Sequence, residues 1–167
     1  MELENIPLGS SENPNVIIEI SEGSSNKFEY NEKLNALRLD FVFRDGFHFP
    51  FNYGFIPHTK AEDSDPLDVA VLSSEPIPPL TVVTIKLIAI LKLKDRGEQD
   101  NKLIGVPLVD PLSDKLNSLD DLTEEKKEGM VNSFKEIGVQ KNKSMAIEGF
   151  EDRDAAIEEV KRYSLLK

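Results

Sequence analysis

The chain contains no cysteine. That excludes a disulfide framework and any thiolate metal site. It has two histidines, His48 and His58. Each stands alone, so both read as structural rather than as ligands. Cations are scarce: 20 Lys and Arg face 31 Asp and Glu, a formal net charge of −11. Clustered positive charge is what neutralises phosphate backbones, so nucleic acid is not an expected partner. No apolar run reaches membrane-spanning length. The first residues, Met1-Glu2-Leu3-Glu4-Asn5, are acidic and lack the apolar core of a signal peptide. The expectation is a soluble, cytoplasmic protein with no membrane partner.

What the chain does have is acid, and it is concentrated. Residues 63–68 read Asp63-Ser64-Asp65-Pro66-Leu67-Asp68. Three carboxylates in six residues repel one another, and a fold that gathers them has to supply cations. Pro66 fixes its own φ and donates no hydrogen bond, so the stretch is a stiff turn. Asp68 then opens the apolar run Val69-Ala70-Val71-Leu72, a buried strand by pattern. A stiff loop running into a strand is a good platform for hard divalent ions, which take oxygen ligands. An EF-hand calcium loop is excluded: Asp68 stands where its glycine belongs, and Ser74 where its bidentate glutamate belongs.

No repeat or linker divides residues 1–167, so one domain is the economical count. The polar residues 1–15, with Pro7, Gly9 and Pro14, read as an extended N-terminal arm. Short strands are expected over 16–20, 27–30, 36–43 and 102–107. Glu19 interrupts the first of them and, on pattern alone, faces solvent. Residues 81–94 carry the longest strand signal, with Val83, Ile85, Leu87, Ala89, Leu91 and Leu93 on one face. The aromatic stretch 47–57, broken by Pro50, Gly54 and Pro57, reads as a plug for one end of a barrel. Tyr53 within it needs a partner for its hydroxyl. Thr123 caps a helix with Met130, Val131, Phe134 and Ile137 in one stripe and Gly138 as its stop. A last strand spans 144–150, and Asp152 caps a final helix that buries Ala156, Ile157, Val160 and Tyr163. The class is mainly β with flanking helices (α+β), a closed barrel with C-terminal helices.

Residues 63–65 alone would read as a solvated turn. Asp95 and Asp100 change that, because they sit at the mouth of an apolar hairpin. If the two loops meet at one barrel end, five Asp residues converge. Two or more Mg²⁺ ions make such a cluster favourable. Ion clusters of this kind hold and polarise a phosphoryl group and generate hydroxide at neutral pH.

Asn52-Tyr53-Gly54-Phe55-Ile56, followed by Asp63-Ser64-Asp65-Pro66-Leu67-Asp68-Val69, resembles the signature of the family I soluble inorganic pyrophosphatases. The resemblance runs from about residue 16 to about residue 150. It implies a five-stranded OB-like barrel and hydrolysis of pyrophosphate to two phosphates. It also implies dependence on Mg²⁺, with Mn²⁺ as the other hard ion, and a homo-oligomer, typically a hexamer in bacterial members. By the same resemblance Asp63, Asp68 and Asp100 hold a first ion, and Asp68 is shared with a second. Asp65 orients and deprotonates the attacking water. Asp95 and Asp100 hold a metal arriving with the substrate, and Glu29 another. Glu19 moves to the outer shell, against the pattern reading. Lys27, Lys102 and Tyr53 contact phosphate or order the water.

The chain also departs from that family. An arginine that grips the departing phosphate is replaced by Phe41, a tyrosine by Phe49, and a phosphate-binding Tyr-Lys pair by Ile137-Gly138. Arg38, Arg44, Lys141 and Lys143 lie nearby. The metal half of the site is complete by sequence; the half for the second phosphate is not. Three readings follow: a weaker pyrophosphatase, a metal-dependent phosphohydrolase of another phosphate ester or organic diphosphate, or a non-catalytic metal-binding homologue.

Overall fold

The apolar run in the middle of the chain becomes one long strand, and the other strands close around it. The computed structural model describes residues 1–166; Lys167, the last residue of the expected domain, lies outside them. The strands are β1 (Asn15–Ile20), β2 (Asn26–Asn31), β3 (Ala36–Val42), β4 (Asn52–Phe55), β5 (Asp68–Val71), β6 (Val82–Asp95), β7 (Glu98–Gln99), β8 (Lys102–Pro107) and β9 (Met145–Asp152). Helix α1 (Glu124–Gln140) precedes β9, and α2 (Arg153–Tyr163) follows it. Five strands form a ring in the order β1-β4-β5-β8-β6, and β6 returns to β1 through Asn15↔Thr84, Val16↔Val83 and Ile17↔Val82. The expected five-stranded barrel is therefore closed. The β5–β8 contact is its one parallel pairing. Strand β9 continues the sheet along the second half of β6, while β2 and β3 make a separate hairpin.

The one-face expectation for β6 fails. Ile88 and Ile90 are as fully buried as the predicted face. The register against β8 shifts between Leu87 and Ala89, and a bulge of this kind turns the strand over. Val83, Ile85, Leu87 and Ile90 pack in a core beneath Ala156, Ile157 and Val160 of α2. Ile88, Ala89, Leu91 and Leu93 pack in a second core with Phe134 and Ile137 of α1. The expected aromatic plug belongs to that second core, where Phe43, Phe49, Phe51, Tyr53 and Phe134 are buried together.

One further expectation is corrected. Gly138 does not stop α1, which runs on to Gln140. A Cβ at Gly138 would lie 2.8 Å from Met145 Cγ, so the glycine lets β9 pack against the helix. The N-terminal residues are tied to the body of the fold. Leu8 is buried in the α2 core, Gly9 bridges to Pro14, and the Tyr30 hydroxyl donates to the Met1 carbonyl.

The Asn52-Tyr53-Gly54 triplet divides its work. Asn52 is fully buried; its Oδ1 accepts from the N–H groups of Glu22 and Ile77, and its Nδ2 donates to Val71 O and Ser73 Oγ. Gly54 passes β1 so closely that a Cβ would come 2.1 Å from the Ile17 carbonyl oxygen. Only Tyr53 is left to face the site.

Candidate active site

The acidic loop is held in shape by its own residues. Asp63 Oδ1 accepts the Asp65 N–H at 3.0 Å, and Ser64 takes a φ of 71° between them. A short acid that bonds its own backbone two residues on is a common way to build such a turn. The chain then enters β5, where Asp68 is paired in register with Lys102 of β8. Asp100 lies two residues before Lys102, so alternation sends both side chains the same way. At the far end of β6, Arg96 and Gly97 have φ of 51° and 84°, the two-residue turn that suits hairpin twist. That turn leaves Asp95 at the mouth.

All ten residues singled out from the sequence line one cavity of about 730 Å³: Glu19, Lys27, Glu29, Tyr53, Asp63, Asp65, Asp68, Asp95, Asp100 and Lys102. None is left outside it. Neither His48 nor His58 lines it.

The centre of the acidic wall is a lysine. Lys102 is 4 % exposed and donates to Asp68 Oδ2 at 2.7 Å and Asp100 Oδ1 at 3.0 Å. Its ammonium also lies 5.7 Å from the ring centre of Tyr53 and 5.8 Å from that of Phe134. Burial alone would lower its pKa; Asp68, Tyr53 and Asp100 outweigh that and hold it well above the ordinary lysine value. The buried Tyr53 hydroxyl is pushed well up by burial and by Asp68, with Lys102 opposing.

Several carboxylates are raised as well, which for an acid favours the neutral form. Burial and the neighbouring carboxylate of Asp68 raise Asp65, and burial with Asp65 and Asp68 raises Asp63. Burial raises Asp100 in spite of Lys102. Glu19 is half-buried and lines the cavity rather than facing bulk solvent, which corrects the pattern reading. Burial lifts its pKa to about 8, although it accepts the Tyr30 N–H at 2.7 Å. Asp95 Oδ1 is buried and has no hydrogen-bond donor, although Arg96 Nε lies 3.3 Å away.

Three more lysines line the cavity. Lys27 donates to Glu29 at 2.5 Å and to Asp40 at 3.0 Å. Lys141 donates to the same Asp40 oxygen at 2.9 Å, and its ammonium stands 5.7 Å from the centre of the Phe41 ring. Lys143 pairs with Asp95 at 3.3 Å. Lys141 and Lys143 both line the cavity. Burial, then repulsion from Lys27 and Lys143, lowers the Lys141 pKa against the pull of Asp40. The sequence reading missed Asp40. Its signal is faint: the β2–β3 register skips it between Lys27↔Phe41 and Phe28↔Leu39, a bulge no alternation predicts. Asn101 and Glu159 were missed as well; both are buried polar residues behind the acidic loop.

Carboxylate oxygens, several raised pKa values and an unpartnered Asp95 oxygen are a donor set that suits a hard divalent ion. Among the described residues, no three such groups stand close enough, as the side chains lie, to hold one ion between them. The Lys102 ammonium takes the place between Asp68 and Asp100.

A family model described as inorganic pyrophosphatase matches residues 16–165. The inorganic pyrophosphatase of Thermus thermophilus is 38% identical over 164 residues, 95% of this chain and 94% of the relative. That of Halalkalibacterium halodurans is 40% identical over 139 residues, 83% of this chain and 85% of the relative. The crystal structure of the Thermus thermophilus inorganic pyrophosphatase matches with a TM-score of 0.89 at 37% identity, covering 96% of this chain and 95% of that one.

Proposed function

This chain belongs to the inorganic pyrophosphatase family, and from that premise we propose that it hydrolyses pyrophosphate to two phosphates with a divalent cation, Mg²⁺ first and Mn²⁺ second. The observation that carries the reading is Lys141 over Phe41. In this reading the cation missing from position 41 comes from the end of α1, where Lys141 lines the same cavity as the acids. The half of the site that the sequence left incomplete then has two lysines, Lys27 and Lys141, joined through Asp40.

Asp63, Asp68, Asp95 and Asp100 are the residues to hold divalent ions, with Glu29 beside them and Glu19 in the outer shell. A bound ion there neutralises phosphate charge and makes coordinated water acidic enough to yield hydroxide near neutral pH. The protein's own groups do the rest. Asp65, whose pKa is raised, orients the attacking water and takes its proton. Lys102 and Tyr53 order the groups around that water. Lys27 and Lys141 neutralise the phosphate that leaves when the bridging P–O bond breaks. Positioning and charge stabilisation are most of what phosphoryl transfer needs. The reaction runs in the cytoplasm, in a single catalytic unit assembled as a homo-oligomer, expected to be a hexamer. Exposed apolar side chains at Leu80, Val82, Leu108 and Val109 support that assembly, and sedimentation velocity measures it.

The test is phosphate release from pyrophosphate and from a panel of phosphate esters, with and without Mg²⁺. Release from pyrophosphate, dependent on Mg²⁺ and faster than from any ester, is the expected result. No release above buffer across several divalent metals, or faster release from an ester, ends the reading. Asp65→Asn should cut turnover by roughly 10²–10⁴-fold. Lys141→Met should cut kcat/KM by about 10²-fold. Both variants should keep the wild-type melting temperature within a few degrees.

A further inference from the structure

Asp100 and Lys102 line the cavity, and the residue between them does not. Asn101 faces the other way, as alternation along an extended chain requires, and is 8 % exposed. Its Oδ1 accepts from Gln99 Nε2 at 2.6 Å and from the Leu93 N–H at 3.3 Å; its Nδ2 donates to Glu159 Oε1 at 2.7 Å. A backbone N–H can only donate, so Leu93 fixes which end of the amide is oxygen. Leu93 falls between the Lys94↔Gln99 and Leu91↔Lys102 pairings, and the Asn101 side chain stands in for the missing ladder partner.

Glu159 is the odd residue of α2. It is 7 % exposed and lies among Ala156, Ile157 and Val160, which are buried apolar residues. A buried carboxylate is costly unless it is hydrogen-bonded, and the partner here is a neutral amide. Glu159 borders a second, much smaller cavity whose other walls include Asp63, Asp68 and Asp100. The carboxylate thus stands directly behind the acidic loop without entering the site.

We infer that Asn101 and Glu159 are positioning residues: their hydrogen bond fastens α2 to the segment that carries Asp100 and sets that carboxylate for a divalent ion. The inference rests on the metal-dependent reading above. Without the bond, the segment keeps the Asp100 N–H bond to Leu93 O at 2.9 Å and the pairing of Lys102 with Leu91 and Asp68, but it loses its tie to α2. Loss of an outer partner of a metal ligand typically weakens metal affinity about 10–100-fold.

The test is titration of metal-stripped protein with Mn²⁺, free ion being read by electron paramagnetic resonance, without substrate and well below each variant's melting temperature. Glu159→Ala and Asn101→Ala should bind about 10-fold more weakly or worse. Glu159→Gln keeps an acceptor for the Asn101 amide while removing the charge, and should stay within roughly threefold of wild type. Asn101→Asp sets two carboxylates face to face and should bind poorly. Adding Glu159→Gln to it reverses donor and acceptor and should restore binding. Wild-type affinity in both alanine variants overturns the inference, whatever their melting temperatures do. So does Glu159→Gln binding as weakly as Glu159→Ala, since charge rather than the bond would then be acting. So does a folded double variant that fails to recover. Failure of the metal reading itself looks different: wild type binds no Mn²⁺, or Asp100→Asn binds as well as wild type, and the inference falls with it.

Discussion

A lysine as dry as Lys102 keeps its charge only because Asp68 and Asp100 flank it, and taking away either acid leaves an ammonium poorly paired in the interior. Glu19 has no such cation in hydrogen-bond contact, and its pKa rises from 4.5 to about 8, burial being the largest cause. The folded chain therefore holds this proton more tightly than the unfolded chain does. The resulting stabilisation is complete below pH 4.5 and is lost as pH climbs towards 8. Urea unfolding of the metal-free protein at several values between these limits should show wild type losing stability, relative to Glu19→Gln, as pH rises. A pH-independent difference would mean that Glu19 is ionised in the fold. At this scale the acids were legible because Asp63, Asp65 and Asp68 crowd one rigid turn. Asp40 was not, because its value comes from a bulge and from Lys141, a residue 101 positions away. Glu19 was read outward from alternation, and the cavity it faces is invisible in a strand pattern.

Among the elements, glycines mark where backbones nearly touch. Gly138 looked like a helix stop because glycine often is one; here it admits Met145 instead, and the helix continues. The extra turn delivers Lys141 to the cavity, so the misread element and the missing phosphate grip have one explanation. Gly54 is the tighter contact. Gly54→Ala should lower stability by about 3 kcal/mol or more, because its methyl would meet the Ile17 carbonyl rather than a side chain able to move. A lower urea midpoint with an unchanged slope is the expected signature. Most of the strands were readable from periodicity; β4 was not, because the aromatic stretch that contains it, broken by Pro50, Gly54 and Pro57, read as a plug. The bulge at Ile88 that lets β6 serve two cores was not, since an apolar residue at every position from 87 to 91 fits either face.

Across the whole molecule acids outnumber bases to give the net −11, and around the cavity nine acidic side chains meet five basic ones. Ligands that bind only the folded state stabilise it, by about 2.7 kcal/mol at a hundred times Kd. Mg²⁺ should therefore raise the melting temperature of wild type, and raise that of Asp63→Asn by less; scanning calorimetry at matched ionic strength separates this from general screening. The ring that carries the cavity also sets when the site can exist. Its closing contact joins residues 15–17 to 82–84, and its parallel contact joins Asp68 to Lys102. Distant pairings form late, because the intervening chain must first give up its freedom. The acid–lysine pair at the heart of the cavity is thus also a register mark: a one-residue slip of β8 against β5 would turn Lys102 away from Asp68. A refolding chain cannot have the chemistry until it has the topology.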